Sequence, residues 1–463
     1  MAKKLKVLYV SAECGPYSGA GGLGEVAAAL PRAIAEQDID IRRLVPLHRE
    51  TTKKLRFRSD FPVKMGDKYH TCLIKYDFDE KEVPTYFVGN DFYFNRDSIY
   101  KQYDDGERFL FFCKAVAQFL EETSFKPDIV HINDWHTGMI PLILKNRGLS
   151  FKIVNNIHNP VYNGWISADY LEDENLPFDY LTSVDYPNYL NFLKAGIIYS
   201  DVVTTVSSTF ASEIQKEGKG YGMEELLSHK GSIQGILNGV DTEKYNPETD
   251  NEIYANYSRK NHGAKKENKK SLQKEFGLEE RDVPVISAVT RLEDQKGIDI
   301  LIESLATFEK DCQFIIMGSG KKTYEEKLKS LCSRYPGRVA VRIGYSVEDA
   351  KKIYAGSDIY VMPSLYEPGG IGQLIAMRYG TVPVVRNTGG LKDTVIDYGK
   401  DRKKGNGFVF EKYSHKDLNF ALGRAIEHYN TSDWNSIIEN CMKYDSSWKK
   451  AGRKYADLYR NIV

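Results

Sequence analysis

The chain carries no excess of charge of either sign: 64 Lys and Arg stand against 64 Asp and Glu among 463 residues. A general binder of nucleic acid or anionic membranes needs a net basic field, so both classes are excluded. Long apolar runs are missing too, none approaching the ~20 residues that cross a bilayer. Paired cysteines are absent. Cys14, Cys72, Cys113, Cys312, Cys332 and Cys441 lie far apart with no Cys-x-x-Cys. That spacing argues against a disulfide scaffold or zinc ribbon and for a reduced, cytoplasmic setting. No Gly-x-Ser-x-Gly elbow occurs, which leaves a serine hydrolase unsupported. The first apolar stretch ends at Ser11-Ala12-Glu13; it reads as a strand, not as a signal peptide.

The chain does have length and apolar mass. Its size is about three times a typical domain of ~150 residues, so two domains are expected. A hydrophobic fraction of 41% is enough for sizeable cores, and a mainly disordered chain is excluded. Short apolar, β-branched runs such as Lys6-Val7-Leu8-Tyr9-Val10 read as buried parallel strands. Further runs occur at 41–46, 128–132, 152–157 and 202–206, then at 283–290, 313–317, 339–343, 359–362 and 382–385. Helical patterns alternate with them, at 25–37 (interrupted by Pro31) and 108–122. In the second, Phe109, Phe112, Val116, Phe119 and Leu120 recur at helical spacing, as a core-facing stripe does. Strand–helix alternation predicts doubly wound parallel sheets, hence an α/β chain of two Rossmann-like domains facing a cleft. The polar segment 243–274 reads as a solvated connector. Gly21-Gly22-Leu23 is echoed by Gly389-Gly390-Leu391, each just before a helical pattern.

Four stretches could carry chemistry. Gly19-Ala20-Gly21-Gly22-Leu23-Gly24 is literally Gly-x-Gly-x-x-Gly, but Cys14 to Ser18 separate it from the strand, and Asp38 and Asp40 precede the second strand. Dinucleotide binding is therefore the weaker reading, and close approach of an anion or sugar to helix N–H groups the stronger. Arg291 and Lys296 follow a strand and can converge on a diphosphate; the alternative is a solvated loop. The stretch from Pro363 through Ser364, Glu367, Gly369, Gly370, Ile371 and Gly372 to Gln373 places bare amides and a carboxylate at a strand-to-helix turn. It reads as an anion site or as a plain turn with an exposed acid. His131 in a strand run, Asp134 and His136 just after it, and His158 after the next strand lack metal-site spacing, and Asp77-Phe78-Asp79 is too short a pattern to count as a divalent-ion motif.

Together these stretches resemble the bacterial glycogen synthase and plant starch synthase family of retaining glycosyltransferases, which have the GT-B fold. The resemblance runs nearly end to end. It is carried by Ser11-Ala12-Glu13, Gly21-Gly22-Leu23, Asn133-Asp134-Trp135-His136, Ile157-His158-Asn159, Leu237-Asn238-Gly239-Val240-Asp241, Asn268-Lys269, Arg291-Leu292 and Lys296-Gly297. Tyr366-Glu367-Pro368, Gln373-Leu374, the block from Ala376 to Arg386, and Thr388-Gly389-Gly390-Leu391 complete it. The resemblance implies an N-terminal domain at 1–241, a nucleotide-sugar-binding domain at 242–445, and a helix at 446–463 that crosses back to the first domain. It also implies transfer of glucose from ADP-glucose to the non-reducing end of an α-1,4-glucan, with no metal and no other cofactor.

By resemblance, the catalytic positions are Glu367, His158, Arg291 and Lys296. Donor-binding positions are Gly21, Gly22, Asp134, Asn159, Asn238, Tyr345, Ser364, Gly370, Ile371 and Gly372. Arg291 and Lys296 would hold the diphosphate, Glu367 the glucosyl hydroxyls, and Tyr345 would stack on the base. No nucleic acid or membrane is expected as a partner. This chain departs from the family pattern at Gly19, where the family has lysine, at Glu25 for aspartate, and at Gly369 and Gly372 for cysteine and threonine. These departures leave open a different nucleotide sugar or acceptor, or a homologue that binds without turnover.

Overall fold

A computed structural model describes residues 4–19, 21–78, 83–174, 188–231 and 233–463. The chain divides into two compact units, Met1–Asn238 with Trp448–Val463, and Gly239–Ser447. The boundaries expected at 241 and 445 differ from these by three and two residues.

The first unit is built on a nine-stranded sheet. Its strands are β1 (Lys6–Val10), β2 (Asp40–Pro46), β3 (Arg56–Met65), β4 (Lys68–Phe78), β5 (Pro84–Gly89), β6 (Ile129–Asn133), β7 (Lys152–Ile157), β10 (Val202–Thr205) and β11 (Gln234–Gly235). A separate two-stranded ribbon pairs β8 (Trp165–Ser167) with β9 (Tyr189–Asn191). The order is β11-β10-β7-β6-β1-β2-β5-β4-β3. All neighbours are parallel except β4 with β3 and β5. This antiparallel extension has no counterpart in the sequence-based expectation, because β3 and β4 are exposed along much of their length and lack the apolar runs of buried strands. The sheet order turns over at β1, whose neighbours are β2 and β6.

Buried Phe109, Phe112, Val116, Phe119 and Leu120 lie on the helix Asp105–Glu122, as their spacing predicts. The terminal helix Trp448–Ile462 packs on Gly22–Ala35 so closely that a Cβ at Gly452 would lie 2.5 Å from the Ala33 carbonyl oxygen. Its Tyr455 and Tyr459 are fully buried.

The second unit holds an all-parallel sheet of β12 (Val285–Val289), β13 (Gln313–Gly318), β14 (Val339–Ile343), β15 (Ile359–Met362), β16 (Val382–Arg386) and β17 (Phe408–Phe410). The order β14-β13-β12-β15-β16-β17 is that of a dinucleotide-type doubly wound sheet. One expectation fails here. The stretch 243–274 is not a plain solvated connector: the helix Lys265–Glu275 lies within its end, with Lys265, Asn268, Lys269 and Leu272 buried. Lys265 Nζ reaches the carbonyls of Ala355 (2.8 Å) and Tyr379 (3.1 Å) and Thr381 Oγ1 (2.7 Å). Lysine's apolar stem and the satisfied ammonium let a charged run enter a core, which composition alone does not reveal.

Candidate active site

In an open α/β sheet, ligands bind beyond the strand C-termini where the strand order reverses. In the second unit that point lies between β12 and β15. The loop after β12 carries Arg291 and Lys296; the loop after β15 carries Ser364 to Gly372. Lys296 Nζ donates to Glu367 Oε2 at 2.7 Å, and Ser364 Oγ donates to the same oxygen at 3.0 Å. Both ion-pair partners are largely buried, with side-chain exposures of 15% and 6%. An ammonium has three donors, so Lys296 can hold Glu367 and still offer a proton to a second anion.

The loop is fixed from several sides. Arg386 Nε donates to the Ser364 carbonyl at 2.7 Å, Leu365 N to the Gln295 carbonyl at 2.9 Å, and Gly390 N to the Glu367 carbonyl at 3.0 Å. Gln373 Nε2 reaches the carbonyls of Gly369 and Gly370 at 3.3 and 3.1 Å. Gly370 lies in the left-handed region at φ +68°, which favours glycine. The amides of Gly370 and Ile371 have no acceptor among the described residues. At Gly372, the first residue of the helix Gly372–Arg378, a Cβ would lie 2.5 Å from the Tyr360 hydroxyl. Tyr360 thus occupies the room that a larger residue at 372 would need, and its hydroxyl donates to the Val289 carbonyl at 2.9 Å.

Arg291 stands apart from this cluster. It is half exposed and pairs with Glu293 at 2.7 Å. Tyr345 follows β14 and is 64% exposed.

In the first unit the order reverses between β1 and β6. The loop after β1 leads to Gly21, which caps the helix Gly22–Ala35 in an extended conformation (φ −174°). The loop after β6 begins with Asp134, at φ +55°, a strained position for a residue with a Cβ and one that clusters at functional sites. Asp134 Oδ1 accepts the amides of His158 (2.6 Å) and Asn159 (3.2 Å), which follow the adjacent strand β7. Burial pushes the Asp134 carboxyl up to about 7, while the two amide hydrogen bonds pull the other way. Burial also lowers His158 to about 4, so its ring is neutral near pH 7. His158 Nε2 lies 3.0 Å from both Asn133 Oδ1 and Asn156 Nδ2. Asn238, half-buried at the end of the unit, and the exposed Gly21 and Gly22 lie outside this hydrogen-bonded set.

The expected positions therefore gather into two sets, Asp134 with His158 and Asn159, and Lys296 with Glu367 and Ser364. Asn133, Asn156, Gly389 and Gly390 were not singled out as site residues. Two asparagines in strands that should be continuously apolar were the available signal. Asp77, half of the short acidic pattern, is engaged by Lys53 Nζ (2.6 Å) and the Tyr17 hydroxyl (3.0 Å); Asp79 lies outside the described residues. Among the described residues no group of three or more His, Cys, Asp or Glu is placed to hold a metal ion, and no helix is long and apolar enough to cross a membrane.

Residues 6–229 match the starch synthase catalytic domain family, and residues 269–448 match glycosyl transferases group 1. The chain is 41% identical to the glycogen synthase of Finegoldia magna over 475 residues, covering 99% of this chain and 100% of that one. It is also 41% identical to the glycogen synthase of Fervidobacterium nodosum, over 98% of both. The catalytic domain of starch synthase IV from Arabidopsis thaliana, solved bound to ADP and acarbose, superposes with a TM-score of 0.91 at 31% identity, over 99% of each chain. With two doubly wound units, matching families along both and full-length relatives, the chain belongs to the glycogen synthase and starch synthase family of glycosyltransferases and is a glucosyltransferase of that type.

Proposed function

We propose that the protein transfers glucose from ADP-glucose to the non-reducing end of an α-1,4-glucan with retention, in the cytoplasm and without a metal ion. The observation that carries this reading is the Lys296–Glu367–Ser364 cluster at the switch point of the second sheet, with the unengaged amides of Gly370 and Ile371 in the same loop. A cation beside a carboxylate suits a ligand that is phosphate at one end and hydroxyl at the other. Lys296 and Arg291 hold the diphosphate, and Glu367 accepts from glucosyl hydroxyls. Gly370 and Ile371 donate backbone N–H groups, with Ser364 steadying Glu367, and Tyr345 stacks on the base. In the first unit, Gly21 and Gly22 allow close approach at the helix N-terminus. His158, oriented by Asp134, meets the reacting sugar together with Asn159 and Asn238.

None of the carboxylates in these motifs is an obvious nucleophile, which fits front-side displacement. The bond from the anomeric carbon to the diphosphate oxygen breaks as the acceptor 4-hydroxyl oxygen bonds to that carbon on the same face. The acceptor's proton passes to the departing phosphate oxygen. Positive charge already aimed at the leaving group supplies the main stabilisation.

The test is incubation of the protein with EDTA, glycogen or maltooligosaccharides, and either ADP-glucose or UDP-glucose, following nucleoside diphosphate release and chain extension. Extension from ADP-glucose supports the reading. Extension from UDP-glucose alone moves the donor and keeps the class, and binding without turnover overturns the catalytic assignment. Arg291→Ala sharpens the result. Arg291 is half exposed and, among the described residues, pairs with Glu293 at a surface where such pairs contribute about 0–1 kcal/mol. Stability should therefore hold while kcat falls by about 10²- to 10³-fold, as for loss of one transition-state donor.

A further inference from the structure

A ladder of polar side chains crosses the first sheet beneath His158. Asn133 on β6, Asn156 on β7 and Thr204 on β10 are register partners on successive strands. All three are buried in a sheet where apolar side chains would be expected. The ladder ends at the terminal helix, where Tyr455 Oη lies 3.5 Å from Thr204 Oγ1. On its other side Tyr9 Oη donates to Asn133 Oδ1 at 3.0 Å.

His158 Nε2 sits between the two asparagines, 3.0 Å from Asn133 Oδ1 and 3.0 Å from Asn156 Nδ2. These neighbours make opposite demands. Asn133 Oδ1 calls for a proton on Nε2, whereas Asn156 Nδ2 calls for a lone pair there. What holds each amide decides between them. Asn133 Nδ2 donates to the Val10 carbonyl at 2.9 Å, and a carbonyl only accepts, so this amide cannot turn over. The Tyr9 phenol reinforces it, since burial drives Tyr9 well above its usual value and keeps it a proton donor. Asn156 Oδ1 instead meets Thr204 Oγ1 at 3.1 Å. A hydroxyl donates or accepts equally well, so the Asn156 amide can reverse at little cost, the Thr204 hydroxyl then turning toward Tyr455.

We infer that Asn133 is the positioning residue that fixes His158 as the Nε2–H tautomer, with Asn156 turning to follow, so that Nδ1 presents a lone pair to a sugar hydroxyl. No described residue hydrogen-bonds His158 Nδ1. The inference rests on the reading of His158 as a sugar-contacting group. A histidine in the wrong tautomer would offer a hydroxyl proton a second donor, and the hydrogen bond would be lost rather than weakened.

The test reads the tautomer directly. Protein labelled with ¹⁵N in histidine, without ligand, is observed by NMR through the ring nitrogen shifts, and His158→Gln identifies the His158 signals. Wild type should show the proton on Nε2. Asn156→Leu should keep it there. Asn133→Leu should move it to Nδ1 or leave a mixture, with kcat falling about 10-fold, the worth of one hydrogen bond. Asn133→Asp, whose carboxylate still accepts, should restore the Nε2–H form and raise the pH at which the ring protonates, a change that loss of packing would not produce. An Nδ1–H ring in wild type overturns the inference. So does a tautomer that follows Asn156→Leu and ignores Asn133→Leu. Because the signal is read without turnover, an inactive wild type with Nε2–H would count against the proposed function and leave the tautomer assignment standing.

Discussion

The tripeptide Gly-Gly-Leu opens a helix in each unit, yet the two copies have different reasons for their glycine. Gly389 sits at φ +44°, and a Cβ there would lie 1.9 Å from the Glu367 carbonyl oxygen. A Cβ on Gly390 would lie 2.0 Å from the Gly369 carbonyl oxygen. Gly21 has an extended backbone, which any residue adopts, and a Cβ there would meet nothing within 4 Å among the described residues. In the second unit the protein's own backbone demands glycine, because the helix start is pressed against the loop that carries Glu367. In the first unit no atom of the described residues makes that demand, so a need for glycine there points to a ligand.

The largest effect should come from breaking the crowded copy. Gly389→Ala adds a Cβ in a left-handed conformation and forces it into a carbonyl oxygen, for a cost of about 2–4 kcal/mol in strain and backbone shift. A thermal melt should drop by several degrees, and turnover should fall with it because Glu367 is displaced. An unchanged melt would show that the helix start and the Glu367 loop are not rigidly coupled.

The comparison extends to how each unit anchors its loop. Glu367 is tied through a backbone pair, Gly390 N to its carbonyl, which no ordinary pH alters. His158 and Asn159 are tied through the Asp134 carboxylate, which burial raises to about 7. The ionised form is the better acceptor for two amides, so the anchor weakens as pH falls through about 7. His158 itself, lowered to about 4, does not titrate in that range. The pH profile of kcat/KM should therefore show an acid limb near 7 that belongs to Asp134. Asp134→Asn should remove the limb and lower the plateau about 10-fold, since an amide oxygen is a weaker partner than a carboxylate. A limb unchanged in the variant would assign the titration elsewhere.

Much of this was legible before any coordinates. The parallel strands were, because burial on both faces leaves continuous apolar runs such as Ile359-Tyr360-Val361-Met362. So was the placement of Lys296 and Glu367 in loops just after such runs, though not their ion pair or the separation of Arg291 from it. The antiparallel pair β3–β4 was not, since half-exposed strands carry Arg, Lys and His and resemble loops. Nor was the helix Lys265–Glu275, whose buried Lys265 is satisfied by carbonyls, and Lys269 by the Asp358 carboxylate and the Tyr429 hydroxyl, all from segments distant in sequence. The link from Gly389 and Gly390 to Glu367 was also hidden, because it is a long-range backbone contact and the Gly-Gly-Leu pattern is identical where no such contact exists.

That ambiguity makes Gly21→Ala the sharpest test of the open copy. With no atom in the way and an ordinary φ, the melt should move by no more than about 0.5 kcal/mol of stability. If a donor approaches the backbone at this helix start, the added methyl should raise the donor KM about 10-fold. Unchanged KM would mean that the glycine serves neither fold nor ligand.

The smallest effect is expected two residues earlier. Gly19 stands where the family pattern has lysine, and among the described residues a Cβ at Gly19 would meet only Glu13 Oε2, at an ordinary 3.8 Å. Gly19→Lys should thus fold unchanged. The new ammonium would begin its reach beside the Glu13 carboxylate, which steadies it but also competes with a phosphate for it. An ion pair at a solvent-exposed position is worth about 0–1 kcal/mol, so the donor KM should fall by at most about 5-fold. A much larger gain would show that this position closes around the donor and excludes water there. No gain at all would show that Arg291 and Lys296 already neutralise the diphosphate, and that the open Gly-Gly-Leu copy works without a cation of its own.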